Sequence, residues 1–567
     1  MSANIGLAFE GVLKRGICSL ICFFMVLTAT SLWSGFSFCA SGLGEKTIDV
    51  YIYDDLSKTK DNMNKALNEY DLKQADVINI IIMENISICP NDRIFGVLGM
   101  GDGWLFNFTN GEFEGKTINI KSNNNEKFKI INKNEIMGFL KAKNCTVILE
   151  NISLYGGGIY KYGQFSKDSV IRSQSFIEIE QRGKKAVALN LKESSINNCV
   201  CNAACGGAIC SRGAVVSLDK NSNITNCNVF DDNDISGGAI DLVGGMLIMS
   251  GKSFIDGCHV SAQEDAFGGA ISMNRGTVVL RGGSYITNCS VEAFERAWGG
   301  AIALSGGILS LNENSYISNC VVSANQDASG GGIDSKGGTV NMFGGDITTC
   351  IVSGDDSAFG GGVCLLDGCF NMMGKSSITG CMSNSDSCSF GGGIQAFGGE
   401  LNLKSGNILN CSAKNCGDAV YFGGTGKYSA TKPGGDLRIS ILSKDNSHNS
   451  DAKVLGYWGI YMDGIKPKEN EKNLNYHELK LDTAGVGDIK SSCLNFVYIP
   501  KKHEGKDIKI LSYLPKKLKK QEKLPIKWVY NDGLGDREID QNTRLAVEKN
   551  GVFVMINQVK AIYQNAA

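Results

Sequence analysis

A tetrapeptide of the form Gly-Gly-Ala-Ile, or a close relative of it, returns about every 31 residues between residues 206 and 424, and it constrains the fold more than any other feature. The last, apolar residue of each copy marks the repeat, and successive markers are 31, 31, 31, 31, 30 and 31 residues apart. The markers are Ile209, Ile240, Ile271, Ile302, Ile333, Val363 and Ile394. Self-similarity at this period indicates an array of stacked units, in which each repeat contacts only its neighbours.

Each repeat contains three short stretches with apolar residues at alternate positions. The first stretch carries the marker and a second apolar residue two places later, as in Ile240 and Leu242, and the second follows a glycine turn, as in Leu247 and Met249. The third contributes an isoleucine in every repeat: Ile224, Ile255, Ile286, Ile317, Ile347, Ile378 and Ile408. Period-two alternation in stretches too short for helices predicts an all-β fold, a right-handed parallel β-helix with three strands per coil and coils about 4.8 Å apart.

The segments before the array are predicted to export and cap it. Residues 1–39 have the pattern of a signal peptide, because Lys14 and Arg15 precede a long apolar run. Cleavage after Cys39 is favoured, and an uncleaved membrane anchor is the alternative. Residues 40–75 are predicted to form a strand and an amphipathic capping helix at 57–70, and residues 76–198 form irregular first coils.

Charge is unevenly distributed, although the net charge of the whole chain is only −2. Residues 199–426 contain 20 acidic and 10 basic residues, whereas residues 427–567 contain 17 acidic and 24 basic residues. We therefore divide the chain into regular repeats at 199–426 and a basic, β-rich C-terminal domain at 427–567. Neither part is basic enough to predict binding to nucleic acid. A lysine-rich segment could contact an anionic surface or form a solvated loop, and its densest lysines are Lys516, Lys517, Lys519 and Lys520.

One cysteine per coil forms a column with nearly the same period as the glycines. Its members are Cys199, Cys227, Cys258, Cys289, Cys320, Cys350, Cys381 and Cys411. A buried stack of small thiols is the favoured interpretation, since free cysteine is among the most buried residue types. Disulfides between neighbouring coils are the alternative, although parallel Cβ vectors suit them poorly. A metal site is disfavoured because one thiolate per layer offers no tetrahedral set of ligands, and no cofactor is predicted.

Two further groups of residues are candidates for bonding or binding. Outside the column, Cys201, Cys205 and Cys210 lie in the first regular coil, and Cys364 and Cys369 flank a turn, where an exported protein could form a disulfide. Aromatic residues precede several glycine pairs, and they could stabilise stacking or bind the face of a sugar. These residues are Phe267, Trp298, Phe359 and Phe390.

The regular coils lack the paired acids of a polysaccharide hydrolase. The outward position next to the marker carries acids only at Asp241 and Asp334, three coils or about 14 Å apart. Hydrolysis requires two carboxylates roughly 5 to 9.5 Å apart. A catalytic site could still lie in the early coils, where Asp102, Glu112 and Arg172 have no assigned role.

The sequence Ser-Tyr-Ile-Ser-Asn-Cys at 315–320, followed by Gly-Gly-Gly-Ile at 330–333, resembles the repeats of the polymorphic membrane proteins, which are autotransporter adhesins of the pectin-lyase-like superfamily. The resemblance covers residues 196–424, and this chain has isoleucine and cysteine where the family motif has phenylalanine and asparagine. It implies a surface β-helix that adheres to a host or neighbouring cell through a protein or a glycan.

We therefore expect an exported, extracellular or cell-surface β-helix without catalytic activity. Binding is expected through loops at residues 229–236, 261–267, 291–298 and 323–329, whose sequences vary while their frames stay constant. The alternatives are a carbohydrate-active β-helix protein, either an enzyme or a glycan binder, and a purely structural surface protein.

Overall fold

The computed structural model describes residues 46–53, 74–88, 104–109, 111–123, 126–133, 138–158, 160–161, 164–165, 171–183, 186–202, 205–403, 406–414 and 419–422, together with the backbone of ten strands between residues 436 and 554. The chain divides into two units after Lys46, and the fold described below belongs to the second unit, residues 47–567. The predicted signal peptide and the predicted capping helix at 57–70 lie outside the described residues.

The described chain is a parallel β-solenoid of about 10 turns, so the predicted β-helix is confirmed. The regular coils contain the predicted strands, although the first and second are continuous in Ile271–Leu280 and Ile302–Asn312. In six coils two further short strands follow them before the next glycine pair. The described residues include one short helical turn, the 3-10 helix Gly111–Phe113. Within the described residues, no helix has both the length and the apolar character needed to cross a membrane.

The first and second strands of each coil belong to one large sheet, here called the main sheet, which runs the length of the solenoid. In the regular coils the markers pair in parallel register, for example Ile240 with Ile271 and Ile271 with Ile302. Its strands up to residue 422 are Thr47–Ile52, Val77–Ile82, Trp104–Phe108, Thr117–Ser122, Gly138–Lys143, Thr146–Glu150, Ile177–Glu180, Ala188–Lys192, Ile209–Arg212, Val215–Asp219, Ile240–Val243, Met246–Met249, Ile271–Leu280, Ile302–Asn312, Ile333–Ser335, Thr339–Phe343, Val363–Leu365, Cys369–Met373, Ile394–Ala396, Glu400–Leu403 and Val420–Phe422.

The third strands form a second sheet of twelve parallel strands, which closes the other side of the coil. These strands are Ile86–Ile88, Phe128–Asn132, Ile152–Tyr155, Ser195–Asn197, Asn223–Thr225, Phe254–Asp256, Tyr285–Thr287, Tyr316–Ser318, Asp346–Thr348, Ser377–Thr379, Asn407–Leu409 and Lys453–Val454. Outside these sheets, Tyr160–Lys161 and Gln164–Phe165 form a small antiparallel pair. The inward residues of both sheets make one continuous core, and the marker and isoleucine columns within it are almost completely buried. Each such isoleucine contributes roughly 2 kcal/mol of hydrophobic stabilisation.

The strands after residue 426 continue the main sheet, because Leu401 pairs in parallel with Leu437 and Val420 pairs with Ile460. Parallel pairing extends through Ile508–Leu514 and Trp528–Asn531, and the antiparallel strands Leu545–Glu548 and Gly551–Val554 form a hairpin. The remaining strands of this part are Asp436–Ser440, Ile460–Met462, Glu478–Asp482, Val497–Ile499 and Asp536–Ile539.

The repeated glycines are required by close approach between coils. Gly237 has a φ of 69°, and a Cβ added there would lie 2.4 Å from the carbonyl oxygen of Ile240. A Cβ on Gly238 would lie 2.1 Å from the carbonyl oxygen of Gly269 in the next coil. Any larger residue would therefore separate the coils or distort the turn, which explains why the pair returns in every repeat.

A left-handed residue follows the strands of the second sheet in the regular coils. The residue immediately after the strand adopts the left-handed conformation in eight successive coils, with φ between 52° and 66°. Asparagine and glycine tolerate this conformation best, and they fill all of the positions except Thr349. The eight residues are Asn198, Asn226, Gly257, Asn288, Asn319, Thr349, Gly380 and Asn410. This turn directs the chain out of the coil into the two additional strands.

Candidate functional site

The two additional strands of each regular coil, with the tip that joins them, form a projection that we call an arch. The first strands of successive arches make an eight-stranded parallel sheet, and the second strands make a six-stranded parallel sheet. The eight strands are Val200–Cys201, Asn228–Asp231, His259–Ala262, Ser290–Ala293, Val321–Ala324, Ile351–Gly354, Met382–Asn384 and Ser412–Ala413. The six strands are Ile235–Ser236, Asp265–Phe267, Arg296–Trp298, Asp327–Ser329, Ser357–Phe359 and Cys388–Phe390. The segments that we expected to be binding loops are therefore largely strands.

The arches have their own hydrophobic core, separate from that of the coil. A valine of the first strand and an alanine of the second face each other in successive arches, as Val322 and Ala328 do, and both are fully buried. In the sixth arch serines replace this core, and Ser389 Oγ donates to the carbonyl oxygen of Ser383 at 2.6 Å. The arches are thus packed ladders, and only their tips and outer faces meet solvent.

The arch tips are acidic. The six complete arches, residues 228–236, 259–267, 290–298, 321–329, 351–359 and 382–390, contain 11 acidic residues and one basic residue, Arg296. Exposed acids lie at the tips of four of these arches: Asp232, Asp234, Glu264, Asp355, Asp356 and Asp386. Because the arches stack in register, these acids form a ridge along one side of the solenoid, which we call the arch edge.

The one arginine of the arches neutralises one of their acids. Arg296 pairs with Asp265 of the preceding arch through two hydrogen bonds, of 3.0 Å from Nε and 2.8 Å from Nη2. Burial raises the pKa of the Asp265 carboxyl, whereas the hydrogen bonds and the charge of Arg296 act to lower it. Asp386 of the last arch is bound by Lys414. The acids at the first and fifth tips remain the most densely charged part of the edge.

The root of each arch lies against the outward face of the main sheet. In two coils the last residue of the arch binds the side chain five positions later: Ser236 Oγ donates to Asp241 at 3.3 Å, and Ser329 Oγ donates to Asp334 at 2.5 Å. We call these two positions the hinge pair. In the first regular coil the same positions hold Cys205 and Cys210. The column next to the marker is consequently covered for most of its length.

Asp334 is the most enclosed acid of this covered column. It is fully buried, and burial raises the pKa of its carboxyl to about 6, although the bond from Ser329 and the charge of Lys336 oppose the shift. Its Oδ1 atom has no hydrogen-bond partner of good geometry among the described residues, while the Cys364 thiol lies close enough to favour the charged form. Burial also raises the pKa of Asp241 to about 6. The two acids are held singly, three coils apart, and form no catalytic pair.

The predicted aromatic column occupies the arch position of the hinge pair. Phe267 stacks on Trp298 with ring centroids 4.6 Å apart, and Phe359 stacks on Phe390 at 6.2 Å. Ser329 interrupts the column between the two stacks. Lys336 Nζ lies 3.9 Å from the centroid of Trp298 and 4.5 Å from that of Phe267, so a lysine occupies the approach to these rings. This arrangement favours a packing role over sugar binding.

A second aromatic column was missed by the sequence analysis. Phe254, Tyr285 and Tyr316 stand at one outward position of the second sheet, with centroids 5.0 and 4.8 Å apart and planes within 3° of parallel. Tyr316 is 36% exposed. An aromatic residue at the same repeat position in three successive coils is a signal that the sequence alone contained.

The eight column cysteines are buried free thiols that line the main core where each coil turns toward its arch. Every one donates its thiol hydrogen to the carbonyl oxygen two residues earlier, at distances from 3.2 to 3.7 Å. Burial raises the pKa of Cys258 well above its ordinary value, and the same holds for Cys227, Cys289 and Cys320. These thiols are therefore expected to be unreactive in the folded protein.

Other candidate residues have different surroundings from those expected. No disulfide joins Cys364 to Cys369, both of which the structure describes: Cys364 lies beside Asp334, and Cys369 contacts Asn371 and Asn402. Arg172 is buried and donates to the carbonyl oxygens of Gly156 and Asn132, each at 2.7 Å, which is a structural role. Glu112 lies exposed in the 3-10 helix. Asp102 and the lysines at 516, 517, 519 and 520 are outside the described residues.

The fold and its projecting arches define the protein as a parallel β-solenoid with a second, arch-borne ladder along one side. No family model, no curated protein and no solved structure matches the chain. Its function must therefore be argued from its own surface.

Proposed function

We propose that this protein is an exported, non-catalytic interaction scaffold of the cell surface, an adhesin that binds a basic protein surface through its arch edge. The observation that carries the proposal is the combination of a packed arch core with acidic tips. A core beneath the tips fixes their positions, so a partner meets charges that are already ordered, on arches that repeat about every 4.8 Å.

Charge distinguishes between the two kinds of partner expected from the sequence. Arches that together carry 11 acids and one arginine repel sulfated or sialylated glycans and attract surfaces rich in lysine and arginine. Charged rims of this kind mainly speed association and select the partner, and screening by salt weakens them. We therefore favour a basic protein over an acidic glycan.

A neutral glycan is the second candidate, and the stack formed by Phe254, Tyr285 and Tyr316 favours it. Aromatic side chains at an exposed position offer apolar area to a sugar ring. In this stack the rings cover one another, so that the outer edge and the exposed Tyr316 are the parts open to a ligand.

The test combines binding with an assay for turnover, using the full chain without its signal segment. The protein is applied to an array of neutral glycans, sulfated glycans and lysine- and arginine-rich peptides, and release of reducing sugar is measured on soluble polysaccharides. The proposal predicts binding to basic peptides that weakens as sodium chloride is raised from 50 to about 500 mM, with no sugar release. Sugar release would identify an enzyme, and salt-resistant binding to neutral glycans would favour the second candidate.

A further inference from the structure

The hinge pair of the first regular coil brings two cysteines together. The sulfur atoms of Cys205 and Cys210 and a carboxylate oxygen of Asp241 all lie within 4.8 Å of one another. Cys210 is fully buried on the main sheet, whereas Cys205, at the start of the glycine turn, is only partly buried. The Ser236–Asp241 and Ser329–Asp334 contacts have the same spacing of five residues, so the backbone of the coil brings these two positions together in each case.

The surroundings of the two thiols make them chemically unequal. Arg212 Nη2 lies 3.5 Å from Cys205 Sγ, where a guanidinium stabilises a thiolate. The hydrogen bond from Cys210 lowers the pKa of Cys205 to about 7, and Arg212 acts in the same direction, whereas burial and the carboxylates of Asp241 and Glu178 oppose it. The hydrogen bond to Cys205 and burial raise the pKa of Cys210.

We propose that Cys205 and Cys210 form a redox-active thiol pair, in which Cys205 reacts with a hydroperoxide and Cys210 resolves the product to a disulfide. A partly exposed, cation-stabilised thiolate beside a buried neutral thiol is the arrangement of an attacking and a resolving cysteine. The inference is independent of the arch edge and of the proposed adhesive function.

The chemistry balances in two steps. The Cys205 thiolate attacks the terminal peroxide oxygen, an S–O bond forms, the O–O bond breaks, and the departing alkoxide takes a proton from solvent to give an alcohol. The Cys210 sulfur then attacks Cys205 Sγ, the S–S bond forms, and hydroxide leaves with the Cys210 proton as water. The two sulfurs lose two electrons, and the peroxide gains them.

A metal site at the same cluster is the competing possibility. Two thiolates and a carboxylate could supply three ligands to Zn²⁺. The positive charge of Arg212 beside Cys205 opposes a divalent cation. The hydrogen bond to Cys205 and burial raise the pKa of Cys210, so this thiol would have to lose its proton in an apolar setting. The thiol pair is therefore the stronger inference.

The experiment uses the reduced full chain, hydrogen peroxide and peptide mapping by mass spectrometry. We expect one equivalent of peroxide to link the peptides that contain Cys205 and Cys210, and we expect iodoacetamide at pH 7 to label Cys205 at least about tenfold faster than Cys388. Cys388 is the matched control, because it is also partly buried and lies on an arch strand.

Variants separate the two roles. Cys210→Ser should retain fast labelling of Cys205 and leave it as a sulfenic acid that dimedone traps, whereas Cys205→Ser should leave the buried Cys210 unreactive. Cys388→Ser should change neither result. Equal labelling rates for Cys205 and Cys388, a link from Cys205 to Cys201, or stoichiometric Zn²⁺ binding that blocks both thiols would overturn the proposal.

Discussion

The hydroxyl of Ser329 donates a 2.5 Å hydrogen bond to the carboxyl of Asp334, and this bond ties the root of an arch to the main sheet. The carboxyl lies where the sequence predicted an outward position, yet it is fully buried because the arch folds over it. Enclosure of this kind makes the stability of the solenoid depend on pH.

Asp334→Asn should change that pH dependence. Because burial raises the pKa of Asp334 from 3.8 to about 6, the folded protein binds this proton more tightly than the unfolded chain does. The resulting stability is fully present below about pH 4 and is lost as the pH rises through 6. The variant, which can still accept from Ser329, should gain up to about 2 to 3 kcal/mol relative to wild type at pH 7.5 and gain little at pH 4.

Urea unfolding of both proteins at the two pH values measures this difference. Asp232→Asn, which alters an exposed tip, is the control and should follow wild type at both. A constant difference between D334N and wild type across the pH range would contradict the assignment.

Thr349→Asn should stabilise the protein. Thr349 is the one β-branched residue among the eight left-handed positions, with a φ of 52°, and asparagine relieves that strain by about 1 kcal/mol. The reverse change in the preceding coil, Asn319→Thr, should lose a similar amount. Thermal unfolding of both variants provides the check, and a neutral or destabilising T349N would show that threonine is unstrained there.

The arch core predicts effects of different size for two neighbouring valines. Val322 is completely buried between the arch strands, so Val322→Ala should destabilise by about 2 kcal/mol, whereas Val321→Ala, at a side chain that is 37% exposed, should change stability by less than about 0.5 kcal/mol. Denaturant unfolding and hydrogen exchange of residues 321–329 measure both. Equal and small effects would indicate a loop without a core.

The cysteine column should resist modification while the protein is folded. Each of the eight thiols is buried and bonded to a carbonyl of its own coil, so iodoacetamide should leave them unlabelled in the native protein and label all of them in denaturant without a reductant. Mass-spectrometric thiol counting on the secreted protein provides the measurement. Blocked or linked thiols at Cys258, Cys289 and Cys320 would demonstrate disulfides between coils.

The repeat period was enough to predict the solenoid, since few other folds place a glycine pair and a buried isoleucine, such as Ile255 or Ile286, in every repeat. The arches were not predicted, although Val260, Ala262 and Ala266 recur at equivalent places in later coils. Alanine carries a weak apolar signal, and strands of two to four residues are too short for alternation to be evident. The contacts of the hinge pair, such as that between Cys205 and Cys210, were not predicted for another reason. They join residues on either side of a glycine turn, and the conformation of that turn depends on the whole coil.

Charge-matched variants test most directly whether the arch edge is the binding surface. One variant neutralises four exposed acids of the arch tips, and the other neutralises four exposed acids elsewhere on the solenoid. The first carries D232N, E264Q, D355N and D356N, and the second carries D76N, E114Q, E150Q and E313Q.

The measurement is the affinity of each full-chain variant for immobilised lysine- and arginine-rich peptides in 50 and 150 mM sodium chloride. Both variants lose the same net charge, so a general attraction would weaken equally in the two. If the arch edge is the binding surface, the arch-edge variant should bind about tenfold more weakly and with a shallower dependence on salt, while the matched variant should bind like wild type. Equal loss in both variants, or no loss in the arch-edge variant, would contradict it.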